Sequence, residues 1–363
     1  MSLITEYLKT AISKEASDIH LKPGQVPVFR IHSVLVPSEY PELSEDEVTN
    51  IVLDMMPEHL KSESQEIGME TDFSYYEEGV GRFRVNVFMS QHTPAIAMRH
   101  VQTEIPSFEQ INVPLILKDL AKTKSGLILV AGATGSGKST TLAALVRCIN
   151  EGQRKRIITI EDPIEYLFTD VNSVITQREV GLDTPSFNSA LKHVLRQDPD
   201  IIMIGEMRDH ISLSVAISAA ETGHLVLSTL HTNTASQAIH RILDMFPVAE
   251  RDQARVGLAS NLKAILCQRL IPSINGGVVP AVEILINTPT VRKLLQQNDL
   301  DTLPAAIETG EDDGMQTFNK ALYNLIKEGK ITEALGLEQA PNPEALRMNL
   351  QGIFLDEGRR IIG

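Results

Sequence analysis

The eight residues Gly132, Ala133, Thr134, Gly135, Ser136, Gly137, Lys138 and Ser139 constrain this chain more than any other stretch of it. They follow the apolar run 127–131 and open a helical pattern that carries Leu142, Leu145, Val146 and Ile149 on one face. A strand, a glycine-rich turn and a helix start, in that order, aim backbone N–H groups and a positive helix end at one point. That is the environment a phosphate chain needs. The spacing G-x-x-x-x-G-K-S adds a lysine able to reach the β- and γ-phosphates and a hydroxyl suited to Mg²⁺. Residues 132–139, with Thr140 behind them, are the expected site for ATP or GTP together with Mg²⁺.

The apolar runs 127–131, 157–160, 201–204 and 225–230 alternate with helical stretches, which predicts an α/β domain built on a mainly parallel, buried sheet. One of those helices, 211–222, stops at Gly223. From about residue 290 the pattern is helical, with Pro341 and Pro343 marking a break before the tail. The first hundred residues read differently. Residues 37–47 form a polar loop that runs into a helix at Ser44, with Glu47 completing a capping box. Residues 82–88 alternate as a half-buried strand does, and 95–101 can pair with them. The expected organisation is an N-terminal α+β domain (1–102), a proline-marked linker (103–114) and a nucleotide-binding domain with a C-terminal helical region (115–363).

Charge and composition exclude several classes. The chain carries 33 Lys and Arg against 47 Asp and Glu, a net charge of −14, and residues 1–100 alone hold 8 against 16. Both halves are therefore acidic, which argues against nucleic acid as a partner. With only 4% aromatic residues, a base-stacking groove is not expected either. Cys148 and Cys267 lie far apart, without disulfide or zinc spacing. The N-terminal segment is charged at Glu6, Lys9, Lys14 and Glu15, unlike a signal peptide, and no apolar run is long enough to span a bilayer. A cytoplasmic protein without direct membrane insertion is the expectation.

Candidates for hydrolysis sit at the ends of the other apolar runs, where ligands of open α/β sheets bind. After 201–204 come Gly205 and Glu206, and a glutamate there can orient the attacking water. After 157–160 come Glu161, Asp162 and Glu165, three carboxylates in five residues. These suit Mg²⁺ bound through water, a neighbour's arginine, or a solvated acidic turn. After 225–230 come His231, Thr232 and Asn233, preceded by Ser228 and Thr229, a polar set suited to sensing the γ-phosphate. A lone histidine is more often structural; the surrounding hydroxyls and amide favour function at His231, while His224 is ambiguous.

Four segments, GATGSGKST (132–140), ITIEDPIEY (158–166), LRQDPDIIMIGEMRD (195–209) and AAETGHLVLSTLHTN (219–233), resemble in order and spacing the secretion ATPases, the motors of type II secretion and type IV pili. ASDIHL (16–21) and GRFRVNVF (81–88) extend the resemblance to nearly the whole chain. Assembly ATPases of the family typically carry a four-cysteine zinc insertion and an extra N-terminal domain. This chain has two cysteines and about 125 residues before the cradle, so it looks most like the PilT/PilU-type pilus retraction ATPases. TPTVRKLLQQ (288–297) and GMQTFNKALYNL (314–325) are similar to that branch as well. The branch's AIRNLIRE stands here as residues 290–297 of TVRKLLQQ, with Lys293 in place of the asparagine. ALRMNLQGIF and GMQTFNKALY lean toward PilU, and GEMRD toward PilT.

The resemblance implies a homo-hexamer with a PAS-like N-terminal domain, a RecA-like ATPase domain and ATP bound between them. It implies Glu206 as the catalytic glutamate, and Arg84 and Arg99, with help from Arg82, as cations for the phosphates. It implies pilus retraction and twitching motility as the work done. The partners implied are an inner-membrane pilus platform protein and a paralogous motor ATPase, with the chain peripheral at the membrane base of the pilus machine. Glu206, Glu161, Arg84, Arg99 and His231 are thus the candidate catalytic residues, and Ser139, Glu161 and Glu206 the candidate Mg²⁺ ligands. An assembly or secretion ATPase, an accessory PilU-type paralogue and a RecA-like nucleic-acid translocase are the competing readings.

Overall fold

The computed structural model of the chain describes residues 2–31, 34–63, 70–101 and 103–353. These form two compact units, one of residues 1–104 with 163–167 and one of residues 105–162 with 168–363.

In the first unit six strands pair antiparallel: β1 (Ala16–Leu21), β2 (Val28–Ile31), β3 (Val34–Pro37), β4 (Thr71–Glu77), β5 (Gly81–Ser90) and β6 (Thr93–His100), in the order β3-β2-β1-β6-β5-β4. Alternation decides which face is covered. Ile19, Leu21, Phe83, Val85, Ile96 and Met98 are buried with the apolar sides of the helices Leu3–Ser13 and Glu45–Met55. The second helix starts as expected from its sequence: the Ser44 hydroxyl accepts from the Glu47 N–H, and the Glu47 carboxylate accepts from the Ser44 N–H at 2.7 Å. Such a reciprocal cap contributes about 0.5–2 kcal/mol. The expected strands 82–88 and 95–101 are β5 and β6, paired as neighbours.

In the second unit a seven-stranded sheet runs β13-β12-β7-β11-β10-β8-β9, from β7 (Gly126–Ala131), β8 (Arg156–Glu161), β9 (Val174–Glu179), β10 (Ile201–Ile204), β11 (Leu225–Leu230), β12 (Leu262–Pro272) and β13 (Val278–Ile286). All neighbours are parallel except β12 and β13, which form a long hairpin. Parallel strands need helical crossovers, and those helices cover both faces. Ile128, Val130, Leu225, Leu227 and Met203 pack with the helix Lys138–Gly152. Leu127, Leu129, Ile158, Ile160, Ile202 and Val226 face the opposite core, with the helices His210–Glu221, Ala235–Met245 and Arg251–Asn261. Each strand thus feeds two cores, which is why the runs read as continuously apolar. The C-terminal region is helical as expected, and Pro343 is the first residue of the helix Pro343–Leu350.

The hairpin β12–β13 brings a carboxylate into this second core. Glu283 on β13 accepts the Ala235 N–H at 2.8 Å, at the start of the helix Ala235–Met245. Burial raises its pKa, against the lowering effects of that hydrogen bond and of Arg269. A carboxyl raised on folding contributes stability below its unfolded pKa and loses it as pH rises through the folded one. Glu283→Gln keeps the acceptor and removes the charge, so its melting temperature is expected to gain on the native protein between pH 5 and 8. The expected gain is about 2–4 °C, the shift of a ~1 kcal/mol change in a unit of this size. Thermal melts at both pH values check this; a difference that shrinks toward pH 8 contradicts it.

Candidate nucleotide-binding and hydrolytic site

The cradle is shaped by a mismatch in strand length. β7 has six residues and β12 eleven, and their pairing ends at Ala131 opposite Cys267. From Gln268 onward β12 therefore runs past the end of its neighbour and walls the loop that follows Ala131. Gly132 lies against this wall, with φ of 153°. A Cβ there would fall 2.5 Å from the Gln268 carbonyl oxygen and 2.4 Å from Ser136 Oγ. Gly137, with φ of 85°, caps the helix Lys138–Gly152, and a Cβ there would meet Gln268 Nε2 at 2.7 Å. Lys138 curls over the loop, its buried ammonium donating to the carbonyls of Gly132 at 2.9 Å and Ala133 at 3.0 Å. Ala133, Thr134 and Gly135 form the exposed outer lip, and Ser139 and Thr140 are half-buried in the first helical turn.

Parallel neighbours send their carboxyl ends to one edge of the sheet, so the loops after β7, β11, β10 and β8 open side by side. Glu206 follows β10. One carboxylate oxygen accepts Arg208 Nε at 2.8 Å and the other faces His231 Nε2 at 3.2 Å. Arg208 also reaches Asp162, with 3.8 Å between guanidinium and carboxylate. Asp162, Arg208, Glu206 and His231, from the ends of three strands, thus make one chain of polar contacts. Glu161 is buried at the end of β8, where it accepts the Thr159 hydroxyl at 2.6 Å and Gln177 Nε2 at 3.1 Å. Glu165 is exposed and belongs to the segment 163–167 of the other unit, outside this set.

Two of the polar groups expected to sense phosphate have another job. The hydroxyls of Ser228 and Thr229 donate to the carbonyls of Ile204 and Gly205, each at 2.7 Å, and so fix the end of β10 beneath Glu206. His224 sits at the amino end of β11, at the far edge of the sheet, where its Nδ1 lies 3.0 Å from the Ala219 carbonyl oxygen. By contrast, Ser136 Oγ and Thr232 Oγ1 are buried with no hydrogen-bond partner among the described residues. Orphaned hydroxyls at a strand-end cradle are what a polar ligand would satisfy. No group of three or more His, Cys, Asp or Glu among the described residues is arranged to hold a metal alone. Mg²⁺ in such sites takes one or two protein oxygens and otherwise phosphate and water, which the Ser139 hydroxyl fits.

In the N-terminal unit, Arg84 and Arg99 face each other across β5 and β6 on the side of the sheet away from its core. Arg99 Nε donates to Asp18 at 2.8 Å, and Arg30, opposite Asp18 on β2, approaches the same carboxylate at 3.6 Å. Burial pushes the Asp18 carboxyl up, but the hydrogen bonds from Ser17 and Arg99, together with the Arg99 charge, outweigh it and hold the pKa below the usual carboxylate range. Sequence reasoning missed Asp18, Arg208 and Gln268. Arg208 stands two residues from Glu206 and was within reach of inspection; the partners of the other two depend on strand register.

Sheet, cradle and strand-end carboxylates define a RecA-like P-loop ATPase unit preceded by an α+β unit. The family model described as type II/IV secretion system protein matches residues 1–299. The chain is 40% identical to the type IV pilus ATPase PilU of Pseudomonas aeruginosa, over 95% of this chain and 90% of that one. It is 39% identical to the PilT retraction ATPase of the same organism, over 94% and 99%. A crystal structure of the pilus retraction motor PilT with bound ADP aligns with a TM-score of 0.87 at 45% identity, covering 94% of this chain and 98% of that one. The chain belongs to the type II/IV secretion ATPase family and is homologous to its PilT/PilU-type pilus retraction ATPases. No helix among the described residues is long and apolar enough to cross a membrane.

Proposed function

We propose that this chain is the ATP-hydrolysing motor of type IV pilus retraction, working as a homo-hexamer in the cytoplasm against an inner-membrane platform protein. One observation carries the reading: a phosphate cradle and the Glu206 carboxylate open on the same edge of one mainly parallel sheet. The loop 132–140 holds the phosphates of ATP through backbone N–H groups, and Lys138 turns from the loop carbonyls to the β- and γ-phosphates. Ser139 would hold Mg²⁺ from the first helical turn, with Glu161 and Glu206 reaching it through water. The ion supplies charge neutralisation at the phosphoryl group when bound. Glu206 accepts a hydrogen bond from the attacking water and aligns it; His231 and Arg208 set the direction of that carboxylate. Arg84 and Arg99 are the cations assigned to charge developing on the γ-phosphoryl group, a use that suits a planar, permanent cation. The N-terminal unit is read as PAS-like, with 1–102 as the domain and 103–114 as the joint through which the motor moves.

The test is steady-state ATPase activity against protein concentration, with oligomer mass followed in parallel and DNA added in a separate series. Turnover that rises as hexamers form and ignores DNA is the expected result. Tight nucleotide binding with negligible turnover in assembled rings points instead to an accessory role beside a paralogous motor. Stimulation by DNA would overturn the motor reading in favour of a translocase. In cells, deletion is expected to leave more surface pili and no twitching; loss of pili would assign the chain to assembly.

A further inference from the structure

We propose that Gln268 is a positioning residue of the phosphate cradle, holding the peptide between Ser136 and Gly137 so that its N–H faces the phosphates. The proposal rests on the nucleotide-binding reading of residues 132–140. Gln268 is the first residue of β12 beyond the end of β7, and its side chain is buried. Its Nε2 donates to the Ser136 carbonyl at 2.8 Å, and its Oε1 accepts the Thr141 hydroxyl at 2.8 Å. Those two contacts leave the amide one orientation. Turned over, its oxygen would face the Ser136 carbonyl and set two acceptors against each other.

A trans peptide is planar, with C=O and N–H on opposite sides. The Ser136 carbonyl shares its peptide with the Gly137 N–H. Drawing that oxygen toward β12 therefore turns the Gly137 N–H away from the wall and into the concave side of the loop. A row of such N–H groups at a helix start is what binds an anion. The position next to it carries the same requirement from the other side: a Cβ on Gly137 would strike Gln268 Nε2 at 2.7 Å, so side chain and glycine fit one another. Thr141, one turn into the helix Lys138–Gly152, locks the amide from below. Neighbouring Leu270, whose methyl carbons lie 3.6 and 3.8 Å from the same Cβ position, closes the wall with apolar surface.

Without the amide, the Ser136–Gly137 peptide keeps its place in the chain but loses what fixes its rotation. Binding of the polyphosphate suffers, while the order of strands and helices does not depend on it. Turnover at saturating ATP should change less than the concentration needed to saturate, because Glu206 and its partners lie on other strands.

The test compares pyrophosphate and ADP binding by calorimetry in the full-length protein, native and with Gln268→Glu, Gln268→Met or Lys138→Ala. At about pH 8.5 a carboxylate at position 268 opposes the Ser136 carbonyl, and both Gln268 variants are expected to bind each probe about tenfold or more weakly. As pH falls toward about 6, the carboxyl introduced by Gln268→Glu takes up a proton and regains a donor. The ratio to the native protein then narrows for Gln268→Glu and not for Gln268→Met. A purely packing role would give no such difference. Binding within twofold of native for Gln268→Met at the higher pH overturns the proposal, and that variant suffices for the conclusion should the charged one fail to fold. Lys138→Ala separates the two readings. If it too binds pyrophosphate normally, the cradle assignment itself fails; if it loses binding while the Gln268 variants keep it, only the role of Gln268 does.

Discussion

Glu206→Gln is expected to slow ATP turnover by about 10²–10⁴-fold while ADP affinity stays within about twofold of native. The asymmetry follows from where the residue stands. Glu206 emerges after β10, and the loop 132–140 after β7, with β11 between them. The carboxylate contributes nothing to the wall of the cradle, which is made by β12. Glutamine keeps the length and the oxygen that receives Arg208, so the end of β10 should hold its shape under the Ser228 and Thr229 hydroxyls. What disappears is the charge assigned above to aligning and polarising water. Turnover and ADP binding measured on one preparation decide the matter. Equal losses in both would make Glu206 a structural residue. Unchanged turnover would move the role to Glu161, whose carboxylate is already occupied by Thr159 and Gln177.

The parts of the site that could be read from sequence are those whose geometry is local. The cradle is one contiguous motif, and its strand and helix are both visible in the apolar pattern around it. The runs at β7, β8, β10 and β11 stood out because helices bury both of their faces, and Ser44 with Glu47 announced a helix start through two residues alone. β12 and β13 did not stand out. β12 follows the helix Arg251–Asn261 with no intervening turn, and the apolar residues of both strands lack the alternation that marks a half-buried strand. β9, with Gln177, Arg178 and Glu179 in six residues, is too polar to suggest a strand at all.

What remained hidden belongs to register. Nothing near Gln268 in the sequence suggests a partner at Ser136, 132 residues away; the pairing of Cys267 with Ala131 creates it. The same holds for Asp18 and Arg99, 81 residues apart and opposite each other on β1 and β6. The strand-end hydroxyls illustrate the converse. Ser228 and Thr229 have the right chemistry to touch phosphate, and the parallel pairing of β11 with β10 directs them to backbone carbonyls instead. Residue type sets what a side chain can do, and the order of strands selects which of those things it does.

Gly132→Ala carries the second large effect, and here the loss falls on binding and not on chemistry. The new methyl would sit 2.5 Å from the backbone oxygen of Gln268 and 2.4 Å from Ser136 Oγ, well inside contact distance. Ser136 Oγ belongs to a short side chain that can rotate. The Gln268 oxygen cannot yield, because β12 is held by β13 along its length, Gln268 opposite Val282. A φ of 153° adds backbone strain for any residue with a Cβ. The loop must therefore lift away from β12, taking the Gly132 carbonyl from Lys138 and the Ser136 carbonyl from Gln268. Overpacking of this kind costs about 1–3 kcal/mol of stability. The greater consequence is that the Ser136–Gly137 peptide loses the Gln268 amide proposed to aim its N–H at phosphate. ADP affinity is expected to fall by about 100-fold or more, the equivalent of roughly 2.7 kcal/mol or more. Calorimetry at a temperature well below the lowered melting point separates this from unfolding. A Gly132→Ala protein that binds ADP as tightly as native would mean that the loop moves freely off β12 when nucleotide binds, and the wall would then not shape the bound state.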